Sequence, residues 1–388
     1  MRSGDFSIVY FGNDWSAENR TSSHHIAERL AQRMPVLYID SPGLRAPQAS
    51  GRDLRKLVRK MIAALRPPQQ VGERMWHIST PQIPFRRLPF VGSLNRFLGR
   101  LLVKRAIRRL GFRDLLSWFV VPHPGPLAGS FGEKLIVYYC IDDYAALPNV
   151  DSKEVARMDE ALTRRADQVF VASPSLLESK KHLNPHTRHS PHGVDVELFR
   201  QASDPLCEMA EGAVGLQHPV IGFFGLIEAW IDLDLIAYLA RSRPHWTFLM
   251  IGRVATDNSV LKTLPNVIFT GPKPYPSLAR WARVFDVAII PYRLTRQVLN
   301  SNPLKLREYL ATGKPIVGVP IPETARFAEY IHIASSPEQF LAAIELALAE
   351  DSPEQANRRM AAVAGMSWDA RVEEVLGLVN SRLTIQNT

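Results

Sequence analysis

Twelve short apolar runs alternate with amphipathic helical segments along almost the whole chain, and few architectures accommodate that order. In the first half the strands are predicted at "FSIVYFG", "PVLYID", "MWHIST", "SWFVVP", "KLIVYYCI" and "QVFVAS". In the second half they are predicted at "PVIGFFG", "TFLMIG", "NVIFTG", "DVAIIP", "KPIVGVP" and a weaker "IHIAS". Most are continuous apolar runs, as expected of parallel strands buried on both faces by helices. Segments such as "SSHHIAERLAQRM", "MDEALTRRA", "DLDLIAYLARS" and "SLARWARVF" supply those helices. The fold class expected is α/β, with two doubly wound, Rossmann-like halves.

A chain of 388 residues is long enough for two such cores. The turn-rich stretch "PHGVDVELFRQASDP", residues 191–205, is the expected hinge. It divides an N-terminal domain, 1–198, from a C-terminal domain, 199–366. A final amphipathic helix, 367–388, is expected to pack back on the first domain. Two halves of this kind leave a cleft between the carboxyl ends of their strands, where ligands bind. No run reaches the ~18 apolar residues of a membrane span, and "MRSGDFSIVYFG" leads into a strand with no signal-peptide pattern. Cys140 and Cys207 stand far apart and make no disulfide or metal pattern. A reducing cytoplasmic setting without a metal is the expectation.

The positive charge is concentrated. Residues 45–113 hold 17 Lys and Arg against 2 Asp and Glu, whereas residues 199–388 are nearly balanced. Within that region, residues 51–66 and 94–113 both read as basic amphipathic helices. Each basic side chain near an anionic membrane surface contributes about 1 kcal/mol, so peripheral contact with such a surface is expected of these two segments. A solvated face on a core helix would look the same. Nucleic acid is not expected, because no recognition motif or aromatic stacking platform accompanies the charge.

Several short stretches carry chemistry. In "SNPLKLREYLATGKPIVGVP", residues 301–320, a helix opens directly after "NP" and ends at Gly313, and such a helix start behind a strand is a natural anion site. Leu304, Leu306, Tyr309 and Leu310 form its expected buried face, and Arg307 is expected at the surface. Lys305 can place a cation near phosphates, although an i,i+3 Lys305–Glu308 pair on a solvated face is the plainer alternative. In "CIDDY", Asp142 and Asp143 follow a buried strand, where they point into a cleft or cap a helix. His123 in "VVPHPGP" ends another strand and is a polar ligand contact, an acid–base group or a structural residue. Asp14, Arg20 and His24 lie in or just after the long loop "FGNDWSAENRTSSHH" and are candidate phosphate or substrate contacts. Gly193 in "PHGVD", between His192 and Asp195, is expected to serve a turn. A dinucleotide is not expected, since neither "YFGNDW" nor "GFFGLIEAW" satisfies G-x-G-x-x-G.

Taken in order, "YYCIDDYAALPN", "RRADQVFVASPSLLESKK", "PHGVDVELF", "GFFGLIEAWIDLDLI", "NVIFTGPKPYPSLARWARVFDVAIIPY" and "NPLKLREYLATGKPIVGVP" resemble bacterial glycosyltransferases of the GT-B fold. The likeness is strongest to the retaining family-4-like group within the family 1 superfamily, which builds surface polysaccharides. The resemblance implies a nucleotide-diphosphate sugar on the C-terminal domain, a saccharide or lipid-linked saccharide acceptor on the N-terminal one, and no obligatory metal or other cofactor. It implies that residues 300–308 cradle the diphosphate and sugar with backbone N–H groups, including those around Asn302 and Leu304. Glu308 then holds the ribose hydroxyls, since a carboxylate accepts paired hydrogen bonds from a vicinal diol.

The chain departs from the family pattern at two places. Where a first Glu usually contacts the donor sugar, this sequence has Asn300, followed by Ser301. The usual Arg and Lys after the first strand of the C-terminal domain are missing from "GLIEAWID", so Arg293 and Lys305 are the expected replacements, with Arg253 a weaker one facing solvent. Asp142, Asp143 and His123 are the expected groups for catalysis or acceptor contact. Competing expectations are a sugar-nucleotide epimerase of the same shape and a catalytically silent nucleotide-sugar-binding subunit.

Overall fold

The computed structural model describes residues 6–17, 20–40, 66–80 and 90–386. The chain divides into two compact units, one of residues 1–191 with 371–388 and one of residues 192–370.

The first unit is built on an eight-stranded sheet. In chain order its strands are β1 (Ser7–Gly12), β2 (Val36–Asp40), β3 (Gln69–Gly72), β4 (Met75–Ser79), β5 (Leu115–Phe119), β6 (Leu135–Cys140), β7 (Gln168–Val171) and β8 (Thr187–His189). They lie in the order β3-β4-β2-β1-β5-β6-β7-β8, and only the β3–β4 pair is antiparallel. Alternate residues point to opposite faces. One face carries an aromatic row in which Tyr10 stacks on Tyr38 at 5.2 Å and on Trp118 at 6.3 Å, in keeping with the register that sets these residues side by side. The other face packs Val9, Phe11, Phe119 and Tyr138 against Val103, Ile107, Val155 and Leu162 of two helices, Val91–Leu110 and Ser152–Arg165.

The second unit holds a six-stranded, all-parallel sheet of β9 (Val220–Phe224), β10 (Thr247–Ile251), β11 (Val267–Gly271), β12 (Val287–Ile290), β13 (Ile316–Gly318) and β14 (His332–Ile333). Its order, β11-β10-β9-β12-β13-β14, reverses direction between β9 and β12, and such a switch point opens a ligand crevice at the carboxyl ends of the strands. The two-unit α/β architecture matches the sequence expectation.

All twelve expected strands are present, and β3 and β8 are additions. Both are short edge strands, and the four residues of β3 are all exposed, so no apolar run announces them. The predicted helix at 94–113 runs from Val91 to Leu110 and stops at Gly111 in the left-handed conformation, φ 67°. The other basic segment, 51–66, lies outside the described residues except for Arg66. Two helices, Pro353–Val363 and Trp368–Gln386, follow the last strand.

Candidate functional site

In the second unit, helix starts are mostly sealed by their own sequence. Asp195, Asp232, Thr295, Ser336 and Ser352 each accept a hydrogen bond from a backbone N–H in the first turn of the helix that follows. The helix Leu304–Thr312 is different. It is entered through Pro303, which has no side-chain oxygen to offer, so its first N–H groups carry no side-chain cap. Tyr309 on this helix accepts a hydrogen bond from the Phe224 N–H at 3.0 Å, which ties the helix to the end of β9 beside the switch point.

Immediately beyond β9, Gly225 has φ +136°, and a Cβ there would overlap the Lys305 side chain. Lys305 therefore runs across the end of β9, with its ammonium 5.6 Å from the Phe223 ring. Gly252, at the end of β10, also has positive φ, +141°, and comes so near the Gly225 carbonyl that a side chain would collide with it. The two glycines thus put no side chains of their own at the carboxyl ends of β9 and β10, and at β9 the Lys305 side chain takes the space.

Glu308, one turn after Lys305, is 6% exposed. Burial pushes its carboxyl up to about 7 from an ordinary 4.5, with Lys305 and the Tyr275 hydroxyl pulling it back down and Asp195 adding to the rise. Such a carboxyl is poised to ionise when a ligand brings hydrogen-bond donors to it. Tyr275 carried no sequence expectation, although its place in the loop after β11 is at a strand's carboxyl end, as the architecture requires of a site residue.

Arg307 corrects an expectation. It is not at the surface but 1% exposed, donating to Asn302 Oδ1 at 2.6 Å and to Glu323 Oε1 at 2.5 Å, with its guanidinium over the Phe327 ring. The Asn302 side chain is consequently part of the scaffold of the turn. Ser301 folds back to donate from Oγ to the Val298 carbonyl at 2.8 Å, Asn300 ends the short helix Arg296–Leu299, and Leu304 is half-buried at the open helix end. Arg293 pairs with Asp234 at 2.8 Å and stands 3.9 Å from Asp232. These three line a cavity of about 370 Å³ with Pro320 and Ser336. Arg253 is exposed, as expected. Gly193 does not have positive φ; what demands glycine there is the Trp368 backbone, whose N and Cα atoms would lie 2.8 Å from a Cβ.

In the first unit, Asp142 and Asp143 follow β6 as expected. Asp142 Oδ1 accepts the Asp143 N–H at 2.8 Å, and Asp143 is 9% exposed, near enough to the buried Lys180 for the two charges to interact. Lys180 itself pairs with Asp159, which also accepts from the Tyr138 hydroxyl at 2.5 Å. This buried charge cluster beneath the two acids left no mark in the sequence, since its members come from three separate elements. His123 is buried in the loop after β5 and walls a cavity of about 540 Å³.

The described residues of the first strand-to-helix loop are tightly pinned. Asp14 accepts from the Ser16 N–H and hydroxyl, Arg20 pairs with Glu28 at 2.6 Å and lies over Trp15, and His24 bonds back to Thr21 and to the Asp14 carbonyl. Burial holds the His24 pKa below its ordinary value, so the imidazole is neutral near pH 7. Beside the loop, Asp40 at the end of β2 accepts from the Trp15 N–H at 2.7 Å and the Ser79 hydroxyl at 2.8 Å, with His77 Nε2 also 2.8 Å away. Among the described residues no cluster of His, Cys, Asp and Glu has the geometry of a metal site.

Residues 215–350 match the family model described as glycosyl transferases group 1. Over 261 residues the chain is 31% identical to a Bacillus subtilis (strain 168) protein named as the teichuronic acid biosynthesis glycosyltransferase TuaH. That match takes in 61% of this chain and 64% of the relative, so the chain spans somewhat under two thirds of the curated protein it matches. Among solved structures, Anabaena Alr3699/HepE in complex with UDP and glucose superposes with a TM-score of 0.65 at 15% identity, over 96% of this chain and 99% of that one. An α,α-trehalose-phosphate synthase (UDP-forming) from Burkholderia vietnamiensis gives 0.64 at 14% identity, over 96% of each chain. A glycosyltransferase from Rickettsia africae ESF-5 gives 0.64 at 12% identity, over 98% and 99%.

Proposed function

We propose that this chain, which has the GT-B fold and carries a group 1 glycosyl transferase domain, moves a sugar from a nucleotide-diphosphate donor to a saccharide or lipid-linked saccharide hydroxyl in bacterial polysaccharide biosynthesis. The observation that carries the reading is the pairing of Lys305, laid across Gly225 at the sheet's switch point, with the buried Glu308 on the same uncapped helix. The ammonium and the open N–H groups meet the diphosphate, and the Glu308 carboxylate accepts from the ribose diol. The UDP and glucose held by the Anabaena neighbour, and the teichuronic acid biosynthesis for which the Bacillus subtilis relative is named, agree in kind.

In the proposed reaction the bond between the anomeric carbon and the diphosphate oxygen breaks as the acceptor hydroxyl bonds to that carbon. Negative charge grows on the departing diphosphate, and fixed donors aimed at it stabilise the transition state by about 3 kcal/mol each. For retention, the hydroxyl approaches from the face that the leaving group vacates and passes its proton to a phosphate oxygen, so no side-chain base is needed. Asn300 and Ser301 face the donor sugar in this reading. Asp142, Asp143 and His123 serve the acceptor. Arg293 would reach the diphosphate only by giving up Asp234. That bond is the observation favouring a second reading, in which the chain binds nucleotide sugars without turnover.

The reading includes peripheral contact with the cytoplasmic leaflet through the helix Val91–Leu110. No helix among the described residues is long and apolar enough to cross a membrane. Phe90, just before that helix, with Leu94, Phe97 and Leu101 on it, are large apolar side chains left exposed at helical spacing, with Arg100, Arg105 and Arg108 also exposed nearby. Calorimetry with UDP and GDP, followed by transfer assays with a panel of nucleotide sugars and bacterial lipid extract, tests the whole. Nucleotide binding with glycosyl transfer is expected. Binding without transfer supports the second reading, and absence of nucleotide binding overturns both.

A further inference from the structure

We infer that the first unit's cavity of about 540 Å³ binds the phosphate-bearing head of an amphiphilic acceptor, a saccharide linked through phosphate to a long apolar chain. This rests on the reading of the chain as a transferase with a lipid-linked acceptor, and it gives that acceptor a place.

The cavity lies between the helices Val91–Leu110 and Ser152–Arg165 and the loop after β5. Its wall includes Arg96 from the first helix, Arg157 and Arg165 from the second, and Asn95, His123 and Glu154. Three guanidiniums against one carboxylate favour an anion, and the planar fork of Arg suits phosphate oxygens better than a neutral sugar. Of these, Arg157 shares its charge with Glu154 at 2.7 Å, and Arg96 donates to the Ser93 hydroxyl at 3.0 Å. Both contacts are with exposed groups that an arriving phosphate can replace. The floor is apolar and close-set: a Cβ on Gly125 would stand 3.2 Å from Leu162 Cβ, and Leu127 packs beside it. The volume is that of a small-ligand site, with room for a phosphate and an attached sugar ring.

The helix Val91–Leu110 explains why the ligand is an amphiphile. Gly99, Val103, Ala106 and Ile107 turn inward, and Gly92, Asn95 and Arg96 on neighbouring positions meet the cavity. Phe90, 85% exposed, and Phe97, 63% exposed, mark the opposite side together with Leu94 and Leu101. A helix lying in a lipid interface on that outer stripe holds the cavity about one helix diameter, ~10 Å, above the acyl boundary. The headgroup layer is ~5–8 Å thick on each side, so a lipid's phosphate stands just below that height, within reach of the cavity mouth. The apolar chain stays in the leaflet while the phosphate enters between the arginines, and a sugar beyond it extends toward His123.

The test uses the full chain and three probes: phosphatidylcholine vesicles carrying farnesyl phosphate, inorganic phosphate in solution, and the same vesicles carrying farnesol. Farnesyl phosphate is expected to bind at least about 10-fold more tightly than either other probe, and at least about 10-fold more weakly to R96Q/R157Q/R165Q. Should the triple variant lose its fold, Arg157→Gln carries the test, because that side chain is 77% exposed and its removal leaves packing intact; a clear loss of farnesyl phosphate affinity is expected there too. Equal binding by the variant overturns the inference, as does inorganic phosphate or farnesol matching farnesyl phosphate. UDP titration of the same samples separates the two claims. Intact farnesyl phosphate binding without UDP binding sinks the donor reading alone, whereas unchanged UDP binding with no arginine-dependent lipid-phosphate binding sinks this one alone.

Discussion

The Arg307 guanidinium donates to Glu323 Oε1 at 2.5 Å, and both side chains are only 1% exposed. The same guanidinium holds Asn302 Oδ1, so a buried ion pair fixes the turn that opens the helix Leu304–Thr312. A buried pair of this kind adds little net stability over apolar residues, but losing one partner strands the other charge. Among the described residues, Arg307→Met leaves buried Glu323 with only the exposed Arg326, 3.3 Å away. It is therefore expected to cost about 3 kcal/mol in urea unfolding, the low end for a broken buried pair. The double variant R307M/E323L should recover most of it. If the pair also positions the turn, the double variant will stay weak in UDP affinity even though it is stable, a split that a purely structural role does not produce.

Glu308 makes stability depend on pH. Its carboxyl protonates near 7 in the folded chain and near 4.5 when unfolded. Between those values the native state holds the extra proton, so its contribution is full below pH 4.5 and is lost as pH rises through about 7. The size of the effect is about 3 kcal/mol, and thermal or urea unfolding across pH 4.5–8 should show that slope flattened in Glu308→Gln.

The same carboxyl predicts how nucleotide binding responds to acid. A ribose diol donates to the carboxylate and not to the acid form, so UDP affinity should rise from pH 6 to pH 8 with release of a proton. The nucleotide's own phosphate also titrates there, which makes Glu308→Gln the reference. Calorimetry in two buffers should find the pH dependence smaller in the variant by the share that Glu308 supplies.

Lys305→Ala removes the cation laid across Gly225. Turnover with a nucleotide sugar is expected to fall about 100-fold or more, the usual loss when one well-placed donor to a developing anion goes. Gly225→Ala should imitate it, because the new methyl group occupies the lysine's path. An unchanged kcat/KM in both would remove Lys305 from the site.

Leu94→Ser with Phe97→Ser tests the outer face of Val91–Leu110. Both side chains are exposed, so thermal unfolding should move little. Co-sedimentation with phosphatidylglycerol vesicles should drop, and it should drop again at high salt as the surrounding arginines are screened.

From the sequence alone, the order of apolar runs determined two doubly wound α/β units, because burial on both faces of a parallel strand requires an uninterrupted apolar run. The helix start after "NP" and the Lys305–Glu308 spacing were legible for a similar local reason, since both follow from neighbours along one helix. The edge strands β3 and β8 were not, since short edge strands need no such run. Only the tertiary structure decided that Arg307 turns inward, because its partner Glu323 lies 16 positions away and a charge is tolerated inside only where a second charge meets it. It likewise decided that Arg293 faces Asp234, that Gly193 yields to Trp368, and that Arg96, Arg157 and Arg165 surround one cavity. Periodicity is a property of neighbours along the chain, whereas pairing of charges is a property of neighbours in space.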